Sequence, residues 1–134
     1  MSTPSPWPYF TIEELSCRHC GKMLMNADFM EKVVKLRQMF NAPMPINSGY
    51  RCPEYNAQIG GEGPSHEGRA VDVACTGSEA MRLLQCAVKL GFFTGIGVDQ
   101  RMTVQQSDHY IHLDDMQPSE VTLPSSRPWL WTYP

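Results

Sequence analysis

No basic block, no long apolar run and no even set of cysteines marks this 134-residue sequence, and each absence removes a class of function. Eleven Lys and Arg stand against 14 Asp and Glu, for a formal charge of -3, and no cationic stripe is present that would track a phosphate backbone. Nucleic acid is therefore not an expected partner. No apolar stretch approaches the roughly 20 residues that span a bilayer, so no membrane partner is expected either. The opening MSTPSPWPYF lacks a basic n-region and an apolar h-region, which argues against a secretory signal and for a cytoplasmic location in the producing cell. The five cysteines, 17, 20, 52, 75 and 86, are an odd number. At least one must be free, metal-bound or joined to another chain, and the redox compartment stays open.

What is present suits one domain with one modest core, expected as a monomer. Thr11 followed by Glu14 predicts a capping box and a short helix. Phe29, Val33, Leu36 and Phe40 repeat on one side of a helix over Ala27 to Phe40, ended by Pro43 and Pro45. A short strand fits Ile46 to Ser48, and a second helix starts near Pro53. The glycine-rich GGEGPSHEG has no periodicity and reads as a loop. Ala70 to Ala74 alternates as a strand. Thr76 and Glu79 form a second capping box for a helix to about Leu90, packed by Ala80, Leu83, Leu84, Ala87 and Val88 and ended by Gly91. Cys86 reads as a small buried hydrophobe in that pattern. Strands fit Gly95 to Val98 and Tyr110 to Leu113. Alternate aromatics in the tail, Trp129, Trp131 and Tyr133, predict a segment that covers the domain edge. The element order is α+β, with helices packed on a small, mainly antiparallel sheet.

Only four histidines occur, at 19, 66, 109 and 112. In PSHEGRAVDV, Asp72 sits between Val71 and Val73, where a strand interior disfavours a carboxylate. Strand alternation sends the two valines one way and Asp72 the other, beside the small Ala70 and Ala74. Likewise Ile111 and Leu113 face the core, whereas Tyr110, His112 and Asp114 face away from it. Pairing the two polar faces would join Asp72 to His112, with His66 arriving from the loop. Two imidazoles and a carboxylate suit zinc with one position left for water, and a cation would neutralise Asp72. A structural network, with Asp72 bonded to nearby backbone, is the competing reading of the same residues. Cys17 and Cys20 in CRHC supply half of a zinc knuckle without a second CxxC. Structural zinc, a disulfide and free thiols all remain open for them.

The order FTIEELSCRHCGK, INSGYRCPEYNAQIGG, PSHEGRAVDV, GFFTGIGV and YIHLDD resembles the zinc D-alanyl-D-alanine peptidases, in particular their small single-domain branch. That family includes peptidoglycan carboxypeptidases and phage endopeptidases, and the likeness covers residues 10–115, leaving 116–134 as an aromatic tail packed on the same domain. The resemblance implies the hedgehog/D-Ala-D-Ala peptidase-like fold and Zn2+ held by His66, Asp72 and His112, with Asp114 as neighbour of His112. It implies a positive group beside the substrate at Arg51. The substrate implied is the stem peptide or cross-link of bacterial peptidoglycan, cut by a zinc-activated water. A phage lysis protein, released to the wall by another factor, fits the missing signal. The alternative is a non-catalytic zinc-containing recognition domain of the same fold.

Two departures from the family pattern stand out. Five residues rather than six separate His66 from Asp72, a shortening assigned to the loop because the strand phase at Asp72 is intact. Where several members have an acidic base three positions before the last histidine, this chain has His109, beside Asp108. Of the two, His109 is preferred as proton acceptor because an imidazole titrates near neutrality, although an uninterrupted strand would turn it away from His112.

Overall fold

Apolar periodicity, caps and turn residues act together to build the two layers. The computed structural model describes residues 3–59, 64–121 and 126–134, so the GGEG portion of the glycine-rich loop lies outside the described residues. Helix α1, Ile12–Leu15, opens with the complete capping box, Thr11 accepting from the Glu14 N–H and Glu14 accepting from the Thr11 N–H. Helix α2, Ala27–Phe40, is capped by the Asn26 side chain and closed by Asn41 in the left-handed conformation. Strand β1 follows at Ile46–Ser48, then helix α3 at Pro53–Gln58, with proline at its first position where no N–H is missed. Strand β2, Ala70–Ala74, leads into α4, Gly77–Leu90, which ends at left-handed Gly91. Strands β3, Gly95–Asp99, β4, Tyr110–Asp114, and β5, Trp129–Thr132, complete the chain.

The strands form one sheet in the order β1-β2-β4-β3-β5. The first three pairings are antiparallel and β3–β5 is parallel. The chain is thus an α+β domain with a mixed sheet in which antiparallel pairing predominates. Val71, Val73, Ile96, Ile111 and Leu113 project from the central strands into the core, where they meet Phe29, Val33, Leu36 and Phe40 of α2 and Leu83 and Ala87 of α4. Phe29 is fully buried and meets Phe93 edge-to-face at 6.2 Å. No helix among the described residues is long and apolar enough to cross a membrane.

Four sequence expectations change. Thr76 does precede α4, but its side chain makes no capping bond; its hydroxyl is hydrogen-bonded at 2.8 Å to Nδ1 of His109, a tertiary partner that displaces the local one. Val88 is 63% exposed rather than packed, because α4 buries only the narrow stripe through Ala80, Leu83 and Ala87. Cys86 is half-buried against the core rather than enclosed by it. The strands β3 and β4 each run one residue further than their apolar pattern suggests, ending on the aspartates Asp99 and Asp114.

Phe29→Ala is expected to lower stability by about 3–5 kcal/mol, the range for an enclosed aromatic replaced by a cavity. Val88→Ala should stay within about 0.5 kcal/mol of the parent. Paired denaturant titrations of the two variants check both values.

Candidate metal centre

The register of β2 against β4 sets Asp72 directly opposite His112. Their neighbours on the same face, Ala70 and Ala74, are small and leave the polar pair room. His66 enters from the turn before β2, which is closed by the Glu67 N–H on the Pro64 carbonyl and the Arg69 N–H on the Ser65 carbonyl. The three ligand-type atoms converge. His66 Nε2 lies 3.2 Å from Asp72 Oδ1 and 3.2 Å from His112 Nδ1, and His112 Nδ1 lies 3.1 Å from Asp72 Oδ1. All three residues are buried.

The partners on the far side of each ring decide which nitrogen faces inward. His66 Nδ1 lies 3.0 Å from the Gly49 carbonyl, which can only accept, so Nδ1 carries the hydrogen and the Nε2 lone pair turns to the cluster. His112 Nε2 lies 2.7 Å from Asp114 Oδ2, a carboxylate acceptor, so its Nδ1 is the inward atom. Asp114 is itself fixed by a two-pronged ion pair with Arg127, at 2.9 and 2.7 Å, and by the Met116 N–H. A carboxylate behind a histidine orients the ring and raises its basicity as a metal ligand.

These atoms fit zinc. Metal–ligand bonds of about 2.0–2.1 Å on tetrahedral vertices separate ligand atoms by about 3.3 Å, close to the separations here. Two inward lone pairs and a carboxylate converging without a cation would repel one another, so the donor chemistry calls for a proton or a metal ion between them. With three protein ligands, a fourth position is left for water or substrate.

Arg51 also reaches this site. Its guanidinium donates to Asp72 Oδ2 at 3.1 Å, to Ser48 Oγ at 2.9 Å and to Asn56 Oδ1 at 3.2 Å, while its backbone N–H donates to the His66 carbonyl. Burial opposes ionisation of Asp72, yet the charges and hydrogen bonds of His66 and His112 hold its carboxyl well below the usual range.

His109 and Asp108 are placed differently. His109 is buried at the start of β4, its Nε2 donating to the Arg101 carbonyl at 2.7 Å and its Nδ1 taking the Thr76 hydroxyl hydrogen. Both ring nitrogens are thus engaged away from the three-residue cluster. Asp108 is exposed at the end of a 3-10 turn, Gln106–Asp108.

Sequence reasoning missed the groups that surround the cluster. Strand β5 runs beside β3 and sets the Trp131 ring 5.1 Å from that of His112, and Tyr133 5.4 Å from Tyr110. Gly97 faces His112 across β3–β4 and makes space for this wall; a Cβ there would collide with the Trp131 indole and the Tyr133 hydroxyl. Gly95 does the same for the Asp114–Arg127 pair. The alternation of glycines in GFFTGIGV was the available signal, but it does not name the side chains that fill the space.

Burial alone would push His112 down, but hydrogen bonds from its ring to Asp114 and Asp72 outweigh it and hold the imidazole up to about 9, above its ordinary 6.5. Burial likewise opposes the charge on Asp114, which His112 and Arg127 hold down to about 2. The raised imidazole stabilises the metal-free fold fully below about pH 6.5 and loses that contribution as pH rises through about 9. The depressed carboxyl contributes above about pH 4 and loses its effect as pH falls through about 2. Thermal denaturation of metal-free protein across pH should therefore give a plateau between about 4 and 6.5, falling on both sides; His112→Gln should remove the alkaline decline. Gly97→Ala should displace the indole, read as a shift in tryptophan emission.

A family model described as Peptidase M15 matches residues 8–114. A search of curated proteins returns no match.

Proposed function

The chain belongs to the peptidase M15 family, and we propose that it is a zinc metallopeptidase that hydrolyses peptide bonds in the stem peptides or cross-links of bacterial peptidoglycan. The observation that carries this reading is the convergence of His66 Nε2, Asp72 Oδ1 and His112 Nδ1 within 3.1–3.2 Å, each ring turned inward by an acceptor behind it. His66, Asp72 and His112 would hold the ion. When bound, zinc would supply Lewis acidity, lowering the pKa of water and polarising the scissile carbonyl.

The chain's own residues supply the rest. Arg51 orients Asp72 through Oδ2 and leaves its positive charge beside the reacting carbonyl, where it steadies developing oxyanion charge or the carboxylate of a peptide end. Asp114 keeps the hydrogen on His112 Nε2, so the ring stays in one tautomer through the reaction. Trp131 walls one side of the site and limits the water around it. Proton transfer falls to the Asp108–His109 pair. With both His109 nitrogens hydrogen-bonded, we assign the exposed Asp108 carboxylate as acceptor of the water's proton and its donor to the leaving amine, while His109 anchors the start of β4. A phage-type lysis protein acting on the wall after release is the biological setting proposed for this activity.

The test is mass spectrometry of muropeptides after digestion of purified cell walls with zinc-loaded protein. New peptide termini are expected from the parent, and none from His66→Ala, Asp72→Ala or His112→Ala, each of which should also lose its zinc at this centre. Asp108→Asn should retain zinc and lose turnover, whereas His109→Gln should retain zinc and lose thermal stability more than turnover. The reverse pattern would return the proton to His109. Asp114→Asn should weaken zinc binding by about 10–100-fold. Parent protein that holds zinc and binds walls, yet releases no termini from walls of varied chemistry, would replace the peptidase with the recognition-domain reading.

A further inference from the structure

A second set of metal-ligating side chains lies at the start of the domain. Cys17, Cys20 and Cys52 have their sulfur atoms all within 4.8 Å of one another, although residues 17 and 52 are far apart in sequence. All three are free thiols. His19 brings Nδ1 to 3.4 Å from Cys52 Sγ, and its ring stacks on Tyr55 at 5.9 Å and 3° between planes, which fixes its direction.

The local backbone is shaped around Cys17 sulfur. The His19 N–H points at Cys17 Sγ at 3.4 Å, and the Cys52 N–H reaches it at 3.3 Å from the other segment. Both dipoles favour negative charge on that sulfur. The CRHCGK turn is closed by the Gly21 N–H on the Cys17 carbonyl and the Cys17 N–H on the Lys22 carbonyl, each at 2.9 Å. Gly21 sits at φ +76°, a conformation that a side chain would strain, and it lets the chain fold back so that both cysteines present sulfur to one point.

We propose that Cys17, Cys20 and Cys52, with His19 as the fourth ligand, form a structural zinc site separate from the His66–Asp72–His112 centre. Tetrahedral zinc with bonds of about 2.3 Å to sulfur sets its sulfur ligands about 3.8 Å apart, inside the 4.8 Å that bounds the three sulfurs, and His19, outside that three-way group, approaches it through Cys52. A disulfide joins two sulfurs at about 2.05 Å and would leave the third thiol and the imidazole without a role. Three thiolates and an imidazole fill every position, so this ion holds no open site for water and takes no part in hydrolysis. Cys17 and Cys52 are buried while Cys20 is exposed, giving the ion a path in from the surface.

Its consequence reaches the other centre through the chain. Cys52 follows Arg51, whose guanidinium holds Asp72, and it also precedes Pro53 at the start of α3. An ion on Cys52 clamps this corner to the 17–22 turn, adding to the Tyr50 N–H bond on the Leu15 carbonyl. The site is therefore a positioning device for Arg51 as well as a staple for a small core.

Cobalt reconstitution of the reduced, metal-free full chain tests this. Parent protein should show a sulfur-to-cobalt charge-transfer band in the near ultraviolet, retained in His112→Ala and lost in Cys17→Ser, Cys52→Ser and the surface variant Cys20→Ser. Elemental analysis should give about two zinc ions per parent chain and about one in either His112→Ala or Cys20→Ser. Thiol titration without denaturant should find Cys17, Cys20 and Cys52 protected by zinc in the parent, a readout that does not depend on any variant folding. His19→Ala should keep the band but bind the ion more weakly. Absence of the band in reduced parent protein overturns the proposal, as does equal thiol reactivity with and without zinc. So does a band that disappears in His112→Ala and persists in Cys20→Ser. Because the cysteine readouts are taken in His112→Ala as well, they stand or fall independently of the peptidase reading.

Discussion

The opposition of Asp72 and His112 across β2 and β4 is the constraint on which the site depends. One face of this strand pair buries Val71, Val73, Ile111 and Leu113 beneath α2 and α4; the other carries the carboxylate and the imidazole. Alternation ties the two faces together, since a slip of one residue would turn valines toward the site and drive charge into the core. The apolar core therefore holds the polar register, and α2 and α4 serve the chemistry without touching it. Burying Asp72 is costly unless its charge is compensated, and Arg51 at Oδ2, with His66 and His112 at Oδ1, supplies that compensation.

Orientation around the three residues is set at one remove. A backbone carbonyl at Gly49 and a carboxylate at Asp114 each take the outward hydrogen of one ring, so two histidines with different inward nitrogens point at the same place. Asp114 needs Arg127, which comes from the segment before β5, and β5 in turn lays Trp131 against His112. The tail is thus part of the site. Its parallel addition to β3 is possible because Gly95 and Gly97 leave the space that Arg127, Trp131 and Tyr133 occupy.

Much of this was legible along the chain. The strand phases of AVDVA and YIHLD and the helix over Ala27–Phe40 follow from alternation, caps and periodicity, all of them short-range rules, whereas His66, Asp72 and His112 as one zinc set rested also on the resemblance to the zinc D-alanyl-D-alanine peptidases. The expectation of a capping bond from Thr76 failed for a tertiary reason: His109 offers its hydroxyl a better partner. That same contact engages Nδ1 of His109, the imidazole preferred from the sequence as proton acceptor. Val88 matched the helical repeat but not the width of the face that α4 buries.

Local pattern along the chain sets the α+β order, the polar and apolar sides of the central strands, and the residue types able to hold zinc. These depend on the period of two in a strand and of 3.6 in a helix, which any reader of the chain can count. Packing of the whole domain was needed to bring Arg51 to Asp72, Arg127 to Asp114, His109 to Thr76 and Arg101, and Cys52 to Cys17 and Cys20. Each of those pairings spans residues distant in sequence or depends on where two strands come to lie. Their geometry follows from the packing of the whole domain, and no local pattern encodes it.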